Sequence, residues 1–155
     1  MKFISASMIA KNKSGKRGGK ATAFNGITTT LVYYHNRNVP SRIITIRLDE
    51  KSMNQSRINI GDRVDVLFSE DKRTWQVKLL NNDEEARYKV SHASNKSASG
   101  VIRFTWYEGM PWFGDFNKTK KIKAKIRNDD KDLKVSIGEI CFLIKDPLSF
   151  EYINE

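Results

Sequence analysis

Residues 41–80, SRIITIRLDEKSMNQSRINIGDRVDVLFSEDKRTWQVKLL, decide the fold, because every local signal in them agrees on strand, short helix and hairpin. Ile44, Ile46 and Leu48 alternate with Ile43, Thr45 and Arg47, so one face of a strand is fully apolar and the other only partly so. Asp49 ends that strand. Its carboxylate can cap a short helix running from Glu50 to Arg57, with Leu48 before the cap and Met53 one turn in as a hydrophobic staple. Ile58 and Ile60 lead into a Gly61-Asp62 turn, after which Val64, Val66 and Phe68 alternate with Arg63, Asp65 and Leu67. Ser69 to Lys72 is a polar turn, and Trp75, Val77 and Leu79 carry the apolar face back along a second hairpin strand.

The order Thr45-Ile46, a short helix after Asp49, an apolar-x-x-Gly-Asp-x-Val-x-Val run over Ile58 to Val66, and a return strand at Trp75 to Leu79 resembles the AbrB/MazE-type swapped-hairpin module. The match covers residues 43–80, about a quarter of the chain, and Arg47 stands where the family usually has proline. Members of that family are homodimers that bind duplex DNA or neutralise a toxin, so the resemblance implies a dimer and DNA. In general style the chain is also similar to small DNA-binding proteins of bacteriophages.

The rest of the chain extends this reading to a single domain over 1–155. Its expected fold is mainly β, α+β with one short helix, built as an antiparallel sheet or a small barrel. Ile27 to Tyr34 (ITTTLVYY) is β-branched and aromatic, a strand closed by a loop from Asn36 to Pro40 that leaves His35 at the surface. Arg87 to His92 and Val101 to Trp106 alternate as two further strands joined by the loop Ala93 to Gly100, and Ile137 to Ile144 is a last short strand before a polar tail from residue 147. Lys2 to Ile9 can form a first strand. The lone Cys141 lies in an apolar run and cannot form an intrachain disulfide, which suits a reducing compartment. No apolar run approaches membrane-spanning length and the N-terminus lacks a signal-peptide core. The expectation is a soluble cytoplasmic protein, in the host cytoplasm if phage-encoded.

Charge points to a partner. The net charge is +10 and the pI about 9.7, with an uneven distribution: residues 1–48 carry nine Lys or Arg and no acid, whereas residues 128–155 carry seven acids and three lysines. A basic surface meant for a polyanion follows, with an acidic end that stays clear of it or competes for it. Lys11 to Lys20 (KNKSGKRGGK) has no apolar side chain to offset the entropy of ordering, so a mobile basic loop is expected, in which Lys11, Lys13, Lys16, Arg17 and Lys20 contact phosphates or merely keep the chain in solution. It is not a Walker motif, since Ala21 follows Lys20.

Lys78, Arg87, Lys89 and Arg103 fall on the non-core faces of expected strands and would line one polar side of a sheet. Trp112 and Phe113, in the Gly/Pro-rich loop YEGMPWFGDF, can stack on unpaired bases or plug a barrel end or dimer interface. In KTKKIKAKIR, Lys121, Lys123, Lys125 and Arg127 alternate with Ile122, Ala124 and Ile126, which spaces the cations about 6.5 Å apart along a strand. That spacing suits a phosphate backbone; lysines guarding a sheet edge against aggregation are the other explanation.

Catalytic constellations are missing from the sequence: two histidines and one cysteine form no metal or nucleophile motif, and Asp62 with Asp65 is the best acidic pair for a metal nuclease. The expected function is nucleic-acid binding without enzymatic activity, cofactor, metal or small-molecule substrate, most naturally to single-stranded DNA and by a homodimer. A duplex-binding AbrB-like regulator and a protein-interaction or inhibitor factor are the alternatives.

Overall fold

The computed structural model describes residues 25–36, 39–80, 88–95, 97–111, 122–144 and 151–154. Two antiparallel sheets share one hydrophobic core and do not close into a barrel. In chain order the strands are β1 (Gly26–Asn36), β2 (Val39–Leu48), β3 (Arg63–Phe68), β4 (Thr74–Leu79), β5 (Tyr88–Lys89), β6 (Ser91–His92), β7 (Gly100–Thr105), β8 (Ile122–Asp129), β9 (Leu133–Ser136), β10 (Glu139–Leu143) and β11 (Glu151–Asn154), with one helix, α1 (Glu50–Ser56), and a 3-10 turn at Asp130–Asp132. The larger sheet runs β11-β8-β1-β2-β7-β6 and the smaller β5-β3-β4-β10-β9. Among the described residues no helix is long and apolar enough to cross a membrane.

The organising stretch folds as its pattern requires. Ile44, Ile46 and Leu48 are fully buried, and Asp49 accepts a hydrogen bond from the Ser52 amide at 3.3 Å to cap α1, with Leu48 and Met53 buried beside it. The helix carries the chain from the larger sheet to the smaller. There Val64, Val66, Trp75 and Val77 turn inward to meet Ile27, Leu31, Ile44 and Ile46 of the first sheet. Asn128 at the end of β8 ties the sheets together, its Nδ2 donating to the Leu143 carbonyl of β10 at 2.7 Å. In the β3–β4 loop the Ser69 hydroxyl and then the Arg73 amide donate to Asp71, which holds that carboxyl below its ordinary range.

Several expectations give way. The loop at Asn36 to Pro40 is shorter than the sequence suggests, since β1 and β2 pair through to Asn36 opposite Val39, with His35 opposite Pro40. Proline is tolerated because Trp106 donates to the Arg42 carbonyl, which places the matching side of Pro40 toward β7, whose pairing has ended by then. Arg87 to His92 is not one strand. Tyr88–Lys89 pairs with β3, Ser91–His92 pairs with β7, and between them the buried Val90 exchanges backbone hydrogen bonds with the Gly61-Asp62 turn, where the chain switches sheets. The strand expected over Ile137 to Ile144 is a hairpin arm, β10, preceded by the unforeseen β9, and β11 within the expected polar tail pairs with β8. The N-terminal strand at Lys2 to Ile9 and the basic loop at Lys11 to Lys20 lie outside the described residues.

The sheet switch depends on a close approach at Gly100. A Cβ there would stand 2.7 Å from Val90 Cγ1 and 2.9 Å from Met53 Sδ, closer than packed atoms tolerate. Methionine can move aside; a buried valine methyl cannot easily do so. Gly100→Ala is therefore expected to cost about 1 to 3 kcal/mol of stability by overpacking, measurable as a lowered urea midpoint at unchanged slope. An unaltered midpoint would show that the α1–Val90 junction is slack.

Candidate nucleic-acid interface

The outward face of the larger sheet gathers cations from three separate strands. Pairing places Arg127 of β8, Thr28 of β1, Arg47 of β2 and Val101 of β7 in one row, and Lys125, Thr30, Thr45 and Arg103 in the next. A third row holds Lys123, Val32, Ile43 and Thr105, where Lys123 is placed by register alone. Their neighbours on the same strands, Ile27, Leu31, Ile44, Ile46, Ile102 and Ile126, are buried on the opposite face, so this face is turned away from the core. Arg103 and Arg127 are exposed, whereas Lys125 and Arg47 are half-buried, and Arg47 donates to the Ser99 hydroxyl at 3.0 Å.

From β8 to β7 the cationic zone crosses three strand spacings, about 14 Å, with cations about 6.6 Å apart along β8. Thr30 and Thr45 stand between Lys125 and Arg103 in the second row. Among the described residues the acids on this face sit at its margins: Asp129 ends β8, and Glu151 on the outermost strand is placed opposite Lys125 by register alone. The described part of the C-terminal end, β11, thus lies alongside the basic strand. At Lys123 and Lys125 the β8 backbone is paired on both sides, by β1 and β11, so those two lysines do not guard an edge; from Ile126 to Asp129 the described pairing is with β1 alone.

The expected single cationic floor does not form, because alternation gives a residue's face but not its sheet. Lys78 and Lys89 lie on the outer face of the smaller sheet, while Arg103 lies on the larger. Lys78 pairs with Asp65 on one side and Glu139 on the other, which neutralises the centre of that face, and Lys89 pairs with Arg63 at its corner. The same face exposes Leu67 and Leu143 and half-buries Cys141, whose thiol is pushed up from its ordinary range by burial and then by the Glu139 carboxylate, against the opposing pull of Lys134.

Lys11, Lys13, Lys16, Arg17, Lys20, Arg87, Trp112, Phe113 and Lys121 lie outside the described residues. The residue that sequence reading missed is Arg47. Its signal was present, since it shares the period of Ile43 and Thr45 opposite the apolar face, but only the strand order puts it between Arg127 and Arg103. Asp62 and Asp65 do not join a carboxylate cluster: Asp62 accepts from the Asn59 amide at 2.8 Å and Asp65 from the Val66 amide at 2.8 Å, and among the described residues no three His, Cys, Asp or Glu side chains could hold a metal ion.

No family model, curated protein or solved structure matches this chain. The functional reading therefore stands on the geometry of the face.

Proposed function

We propose that this protein binds nucleic acid, with a single strand of DNA as its preferred form, through the outer face of the larger sheet. One observation carries the reading: Arg47, Arg103, Lys125 and Arg127, drawn from strands far apart in sequence, share one face whose described acids are marginal. Such a row supplies the phosphate contacts that dominate affinity. Single strands are favoured by shape. A six-stranded sheet is roughly 24 Å wide, too broad for a major groove of about 12 Å, which admits a helix or a two-stranded ribbon. The helix offers no substitute, because its seven residues include Glu50, Lys51, Asn54 and Gln55 on the exposed side and no excess of cations. A flexible strand can instead follow the face. A single cysteine and a basic surface fit the reducing, nucleic-acid-rich cytoplasm.

Gel shifts with oligo(dT) and with a duplex of equal length, each over a salt series, test this. Four described cations, Arg47, Arg103, Lys125 and Arg127, predict that log affinity for the single strand falls against log salt with a slope of about −3, at roughly −0.7 per contact. A slope near zero, or tighter binding to the duplex, overturns the reading.

A protein partner, including a second copy of this chain, is the second reading, favoured by exposed Leu67 and Leu143 on the outer face of the smaller sheet and Ile137 in the neighbouring turn. Light scattering that shows only monomer across a concentration series would remove the homodimer.

A further inference from the structure

We propose that Tyr107 is a base-stacking platform at the rim of the cationic face, taking the unpaired bases of single-stranded DNA or RNA; this rests on the nucleic-acid reading above. Arg103 and Thr105 point to that face from β7, while Ile102 and Phe104 point to the core. Trp106 continues inward: its ring lies 4.8 Å from the Arg42 guanidinium, which also stands 5.7 Å from the Tyr33 ring. Its indole N–H donates to the Met110 carbonyl at 3.0 Å. Trp106 still bonds to Arg42 of β2, and alternation carried one residue further assigns Tyr107 to the side of Arg103 and Thr105; it is 65% exposed, the most exposed aromatic ring among the residues whose side chains are described.

Its backbone is already fixed. The Met110 amide donates to the Tyr107 carbonyl at 3.0 Å, the Tyr107 amide reaches Met110 Sδ at 3.4 Å, and Gly109 supplies the positive φ of 100° that closes the turn. Only the two side-chain torsions of Tyr107 remain to be ordered when a base arrives, so little entropy opposes stacking. Other aromatic side chains near the core are committed elsewhere: Trp75 packs against Phe68 and Phe142, and Tyr88 stacks on Phe104. Arg103, four residues before Tyr107 and about 13 Å back along the chain, is positioned to hold a nearby phosphate of the strand whose base meets the ring. Phosphate contact and stacking together describe how single strands are held without sequence preference.

Affinity for oligo(dT), oligo(U) and an abasic oligonucleotide of the same length tests the assignment in unaltered protein and in Tyr107→Ala, Tyr107→Leu and Tyr107→Phe. Removing one stacking ring is expected to lower affinity about tenfold. Alanine and leucine should show that loss on both base-bearing strands, phenylalanine should keep affinity, and the abasic strand should bind all four proteins equally. The melting temperature should not move, since an exposed ring contributes little to the core. Unchanged oligo(dT) affinity in Tyr107→Ala, or an equal loss on the abasic strand, overturns the stacking role. If Lys125→Gln and Arg127→Gln weaken oligo(dT) while Tyr107→Ala does not, the phosphate reading stands and the stacking role falls. If the unaltered protein binds none of the three strands, both fall.

Discussion

Trp75→Ala is expected to cost about 3 to 5 kcal/mol of folding stability, with a fall in melting temperature on the order of 10 °C. Trp75 is fully buried at the centre of the smaller sheet, its ring 4.9 Å from Phe68 in an edge contact and 5.8 Å from Phe142. Those neighbours sit on β3 and β10, which flank β4 on either side, so a cavity there loosens three strands at once. The lost hydrogen bond adds little, because Nε1 donates at 3.1 Å to the carbonyl of the exposed Lys72, which water can satisfy. Removal of the buried ring volume is what matters. Urea unfolding of the two proteins, compared at common slope, gives the measurement; a loss below about 1 kcal/mol would mean that Phe68 and Phe142 collapse into the space or that the ring is not central to the core.

Local chemistry in the sequence announced the middle of the fold and left its tertiary choices open. The β2–α1–β3–β4 run was legible because alternation, a capping aspartate and a Gly-Asp turn each act over a few residues. Val90 was not legible as a switch point: Tyr88, Val90 and His92 alternate perfectly, and nothing in a period of two says that Tyr88 pairs with β3 and His92 with β7. The same gap governed the candidate face. Lys78, Lys89 and Arg103 share a pattern but not a sheet, and Lys78 loses its apparent cationic role once Asp65 and Glu139 are its cross-strand neighbours. Arg47 gained a role by the reverse route. Burial was easier to read than pairing, because an apolar side chain declares its own preference for the core, whereas register depends on the distant residue that it meets.

Arg103→Gln, Lys125→Gln and Arg127→Gln combined are expected to weaken single-strand binding on the order of a hundredfold at low salt, at about 1 kcal/mol for each cation held against an anionic partner. The salt slope should become shallower by about 2, three contacts at roughly 0.7 each. All three side chains lie on the outer face of the larger sheet, Arg103 and Arg127 exposed and Lys125 half-buried, so the fold should tolerate their neutralisation. Overall charge is the competing explanation, since a protein of net charge +10 attracts any polyanion. Arg63→Gln, Lys89→Gln and Lys134→Gln, on the outer face of the smaller sheet, remove the same three charges and serve as the comparison. If the larger sheet carries the interface, this second triple variant keeps the salt slope and loses only the modest long-range attraction. Equal losses in the two variants would mean that net charge, and not a face, draws the nucleic acid; an unchanged slope in the first would remove β7 and β8 from the contact surface.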